Sequence, residues 1–105
     1  MSTDTETATA PAAKVIPEIA SWPYEFPLSR PIQTAEDTTQ VLVLNEPTAA
    51  DAFKYGLLTG LSADQVRPLV AHLAVIPPPF IDRMPAADVI ALAARLSRFF
   101  NRAAA

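Results

Sequence analysis

The sequence predicts an α+β fold in which a disordered N-terminal arm leads into a β-hairpin packed on about three short α-helices. Three observations predict it. Residues 24–44 alternate apolar and polar side chains between prolines, residues 49–76 carry two helix-start signals followed by apolar positions at helical spacing, and residues 85–101 carry a regular amphipathic stripe. At 105 residues the chain has room for one core, divided as an arm over residues 1–21 and a single small domain over residues 22–105.

The arm is dominated by Ala, Thr, Pro and Ser, with Val15, Ile16 and Ile19 as its only sizeable aliphatics. Three such side chains do not offset the entropy of ordering twenty residues, so disorder is expected. Pro17, Pro23, Pro27 and Pro31 then exclude helix, because each lacks a backbone donor and pushes its predecessor towards an extended conformation. Tyr24, Phe26, Leu28 and Ile32 fall at even positions, the period of an edge strand with one buried face, and Arg30 breaks the pattern. The polar residues 34–38 make a hairpin loop. The second strand follows, with Leu42 and Leu44 on one face and Val41 and Val43 on the other.

A hairpin alone is marginal in water, so it needs a helical partner. Thr48 with Asp51 three positions later marks a helix start, and a helix over Ala49 to Thr59 stopped by Gly60 is expected. Ser62 and Gln65 have the spacing of a capping box, and Leu61 that of a staple onto Val66. Val66, Leu69, Val70, Leu73 and Ile76 form the stripe of that second helix, which Pro68 kinks or makes irregular at its start. Pro77, Pro78 and Pro79 end it and hold the chain extended as far as Phe80.

The last helix runs from Pro85 to Asn101, with Asp88 favoured by the positive end of its dipole and Arg95, Arg98 and Arg102 by the negative end. Val89, Leu92, Ala93, Leu96, Phe99 and Phe100 lie within an arc of roughly 120° about Leu96. Leu42, Leu44, Phe53, Leu57, Leu73, Leu92 and Leu96 are the expected shared core.

Composition excludes much chemistry. Eight basic and 11 acidic residues give a net charge of −3, which disfavours nonspecific nucleic-acid binding. Charge is uneven: residues 1–46 hold 7 acids and 2 bases, residues 47–105 hold 4 acids and 6 bases. With no cysteine, disulfides and thiol chemistry are absent, and one histidine removes most zinc sites. His72 has no carboxylate or serine near it in sequence and reads as structural, while Asp51, Asp64, Asp82 and Asp88 lie at helix boundaries, where capping explains them. Gly56 and Gly60, the only glycines, cannot build a phosphate loop. The proline-stiffened connection from Pro77 to Asp82 is too long for a helix-turn-helix. No catalytic, cofactor-binding or metal-binding residue is expected. The first 20 residues lack a basic export signal, and no apolar run approaches the ~20 residues that span a bilayer, so a cytoplasmic protein without a membrane partner is expected.

From Tyr24 to Arg102 the order of pieces resembles the tail assembly chaperone family of tailed bacteriophages and prophages. The residues that carry it are the Pro31-Ile32 pair before a hairpin, the run Leu42-x-Leu44-x-x-Pro47-Thr48-x-x-Asp51, and Ile81-Asp82-Arg83-Met84 leading to Ala87-Asp88-Val89 and a helix ending in paired aromatics. The resemblance implies a small non-enzymatic protein of the host cytoplasm, absent from the finished virion. Its implied partner is the tape measure protein, kept soluble until tail tube subunits polymerise around it. The tail tube protein and a second copy of the chain are further candidate partners; nucleic acid is not. A DNA-binding or antitoxin-like regulator and a minor structural tail subunit are the competing classes.

A holding function needs exposed apolar surface. Phe99 and Phe100 stand 100° apart on the flanks of the Leu96 stripe, and a core this small either closes over both rings or leaves one facing a partner. The expected partner surface combines Phe99, Phe100, Ile90 and Phe80 with Arg95, Arg98 and Arg102 as a polar rim.

Overall fold

The computed structural model describes residues 16–34 and 37–104. Two strands, β1 (Tyr24–Gln33) and β2 (Thr38–Leu44), pair antiparallel; four α-helices follow, α1 (Ala49–Lys54), α2 (Ala63–Ala74), α3 (Pro78–Ile81) and α4 (Ala86–Ala104), with a 3-10 turn at Leu57–Thr59. The α+β class is the expected one.

Tyr24 pairs with Leu44 and Phe26 with Leu42, which places all four on the buried face and leaves Val41 and Val43 on the outer one. Pairing then breaks: the four residues Leu28 to Pro31 stand opposite Gln40 alone before Ile32 meets Thr39. This bulge turns Arg30 outward and returns Ile32 to the core, which is why the alternation survives its one exception. Phe26, Leu42 and Leu44 from the hairpin, Leu69, Val70 and Leu73 from α2, and Leu92 and Leu96 from α4 build the centre of the core. Each such side chain contributes about 1.5–3 kcal/mol on full burial.

Several local expectations are corrected. The expected arm over residues 1–21 falls largely outside the described residues; of its described part, Ile19 is 1% exposed and belongs to the core, and Ile16 packs against it. The first helix is shorter than Ala49 to Thr59. The Thr48 and Asp51 capping box forms, but the helix stops at Lys54 and Gly56 turns the chain through a left-handed conformation (φ 65°). That break redirects the apolar face: Tyr55 and Leu57 are buried, and Phe53, expected in the core, is 70% exposed.

Ser62 starts α2 without the expected side-chain cap, although Leu61 and Val66 both pack against the core. The helix runs on through Pro68, since the one bond it forfeits is to the carbonyl of Asp64, in an exposed first turn. Its end is a Schellman turn, with Ile76 N–H donating to the Ala71 carbonyl and Val75 in the left-handed region at φ 56°. Asn45 donates its backbone and side-chain N–H to the Leu73 carbonyl, tying β2 to that end. Pro77–Pro79 do not hold the chain extended: Pro77 caps a helical turn in which Pro78 and Pro79 take the first positions, where no N–H is needed. Finally, Asp88 in the first turn of α4 accepts from the backbone N–H and the hydroxyl of Ser29 (2.9 and 3.0 Å), pinning the bulge to the helix.

Candidate functional site

The seven residues expected to face a partner lie in separate places. Arg95, Arg98 and Arg102 occupy one flank of α4, spaced three and four residues apart as a helix face requires. That flank is covered by residues 16–22 of the same chain. Arg95 donates to the Ile16 carbonyl (3.0 Å) and to the Ala91 carbonyl one turn back (3.1 Å). Arg98 grips Glu18 through two parallel bonds (2.8 and 2.7 Å), and Arg102 donates to the Ile19 carbonyl (2.9 Å). The Arg98 guanidinium holds the Glu18 carboxyl below the usual carboxylate range. Phe99 meets Trp22 edge to face at 5.2 Å and Phe100 at 5.6 Å. Both Phe rings are half-buried, so neither is wholly a core residue nor wholly an outward grip.

Ile90, 67% exposed, projects from the opposite flank of α4, one turn beyond Ala86. There an apolar groove of about 380 Å³ runs between α2, α3 and the start of α4, lined by Val66, Val70, Ile81, Met84, Ala86 and Val89. Its rim carries a paired Arg67 and Asp82 (2.6 and 2.8 Å), and Arg67 holds the Asp82 carboxyl low. Phe80, half-buried, sits under the Arg83 guanidinium at 4.7 Å, and Arg83 donates to the Gln33 carbonyl. The structure therefore brings the arginines and Phe99 together but separates Ile90 and Phe80 from them.

His72 does have a carboxylate partner, brought from 21 residues away: its Nε2 lies 2.9 Å from Asp51, and its ring 5.9 Å from that of Tyr55. Asp51 also closes the Thr48 capping box, and the Thr48 N–H it accepts lowers its carboxyl below the usual range, with His72 adding to the effect. The pair holds α1 against the end of α2. Among the described residues no three His or carboxylate groups converge as a metal would require, and no helix is long and apolar enough to cross a membrane.

Glu18, Ile19 and Trp22 are the site residues that sequence reasoning missed. Their partners lie 77 or more positions away, beyond the reach of any periodic signal. The site offers arginines that hold main-chain carbonyls on one flank of α4 and an open apolar groove on the other.

No curated protein and no solved structure matches the chain. A family model does, described as "Phage tail assembly chaperone proteins, E, or 41 or 14", and it matches residues 25–101, from the second residue of β1 into the last turn of α4. That match takes in the hairpin, all four helix starts and the groove between them, and the chain belongs to the phage tail assembly chaperone family.

Proposed function

We propose that this chain binds the tape measure protein of its phage in the host cytoplasm and keeps it soluble until tail tube subunits assemble around it. The observation that carries the reading is the family match over residues 25–101. The surface supports it physically. A tape measure protein is long and must be kept from aggregating before the tube encloses it, which calls for a partner with accessible apolar side chains and no chemistry. Ile90, the groove beside it and the half-buried Phe80 supply apolar contacts away from the arginines, and the half-buried Phe99 and Phe100 supply more on the flank where Arg95, Arg98 and Arg102 form a polar rim. The chain then acts by occupancy, not catalysis, and leaves before the virion is complete.

Co-expression tests this. The tape measure protein should be insoluble alone and soluble when this chain is present, and the two should co-purify. Ile90→Asp should keep the fold, since the side chain is exposed, and lose co-purification. A tape measure protein equally soluble with and without this chain refutes the reading.

A further inference from the structure

The flank of α4 that bears Arg95, Arg98 and Arg102 is already filled by an extended segment, and the way it is filled identifies what the flank recognises. Two of its bonds go from guanidinium groups to the carbonyls of Ile16 and Ile19, atoms that every polypeptide carries. The Glu18 carboxylate on Arg98, the Ile19 side chain in the core, and the Ile16 and Trp22 side chains packed beside it are the contacts that depend on sequence. The polar part of the grip is shallow, since Glu18 and Arg98 are each about half exposed and ion pairs in water hold weakly, and its one fully buried anchor is Ile19. Ala20 and Ser21 within the segment and Pro23, which joins it to β1, are exposed. Within the flank the Arg95 Nε is buried without a hydrogen-bond partner among the described residues, so the present occupant leaves a donor unused. Residues 16–22 also lie outside the stretch that matches the family, whereas Arg95, Arg98 and Phe99 lie inside it.

We infer that this flank of α4 is a docking face for an extended polypeptide segment in which a carboxylate stands between two aliphatic side chains, and that residues 16–22 are the chain's own occupant of it. A client segment of that chemistry displaces them. The identity of the client as a tape measure protein rests on the functional reading above; the chemistry of the face does not.

The test uses the full chain and a fluorescein-labelled peptide of residues 16–22. Glu18→Arg sets a positive charge against Arg98 and Arg102 and frees the face, so the variant should bind the peptide at least roughly tenfold more tightly than the unaltered chain by fluorescence anisotropy. Adding Arg98→Glu restores the pair in reverse and should return binding to the unaltered level. In the unaltered chain, excess peptide should speed amide exchange at residues 18–22, a readout that holds even if Glu18→Arg folds poorly. Equal peptide binding by the folded variant and the unaltered chain, or exchange unchanged by millimolar peptide, overturns the inference. A concentration-dependent dimer of the unaltered chain that Glu18→Arg abolishes also overturns it, by making a second copy the occupant. Failure of the peptide tests leaves co-purification with the tape measure protein untouched, and loss of co-purification leaves peptide binding untouched, so the two readings fail separately.

Discussion

Asp88→Ala should be among the most destabilising single changes outside the apolar core, and its effect should depend on Ser29. The Asp88 carboxylate is nearly buried and accepts two bonds from one residue in the β1 bulge, the Ser29 N–H and hydroxyl at 2.9 and 3.0 Å. Removing it strands the Ser29 N–H, forfeits two charge-assisted bonds of about 1 kcal/mol each at this partly exposed site, and takes an anion from the first turn of α4 worth about 0.3–1 kcal/mol. The expected loss is about 2–3 kcal/mol, or a melting temperature lower by ~8–24 °C for a domain of this size. Ser29→Ala removes only the hydroxyl and should cost about 1 kcal/mol alone and almost nothing once Asp88 is gone. Urea denaturation of both single variants and the double variant gives the coupling directly. If Ser29→Ala costs the same in both backgrounds, or if Asp88→Ala costs less than about 0.5 kcal/mol, the bulge is not pinned by this carboxylate.

Val75→Gly should raise stability by about 1 kcal/mol, read as a higher urea midpoint, because an exposed β-branched residue now sits in the left-handed region that costs L-residues about 1–2 kcal/mol. Leu96→Ala should cost about 2–5 kcal/mol, whereas Phe53→Ala should stay within about 0.5 kcal/mol; comparable losses would reverse the assignment of Phe53 to the surface. The Asp51 carboxyl is held below its usual range when folded, so its contribution is complete above about pH 4 and is lost as the pH falls through the lowered value. The acid-induced loss of stability should be shallower in Asp51→Asn, and identical pH profiles would count against it.

Much of this fold is legible because its signals are local. The alternation of Tyr24, Phe26 and Ile32, the Thr48 cap and the Leu92 and Leu96 stripe each follow from neighbours a few residues apart, and all keep their expected faces. Phe53 misleads because helical spacing to Leu57 has meaning only if the helix reaches Leu57, and Gly56 ends that continuity. The prolines at 77–79 mislead for a related reason: the residue that stops one helix suits the first turn of the next. The candidate site is the least legible part. Ile19 and Glu18 look like isolated residues in a low-complexity arm, and only the folded chain brings Arg98 and Arg102 to them, just as it brings Asp51 to His72. Glu18 from the acidic first half and Arg98 from the more basic second half, separated in sequence, are joined at that contact.

The meeting of residues 16–19 with residues 95–102 also sets a clock. The hydrogen-bonded partners are 79 to 83 positions apart, so at ~5–20 residues per second the ribosome needs roughly 4–16 s after making Glu18 to make Arg98. Through that interval Ile19 has no seat and the hairpin lacks the Leu92 and Leu96 side of its core. When α4 does emerge, residues 16–22 are tethered a few residues from β1 and reach it at an effective concentration in the millimolar range. The arginine flank of a newborn chain is thus covered first by whatever is nearest, which makes the order of translation part of what determines its occupant.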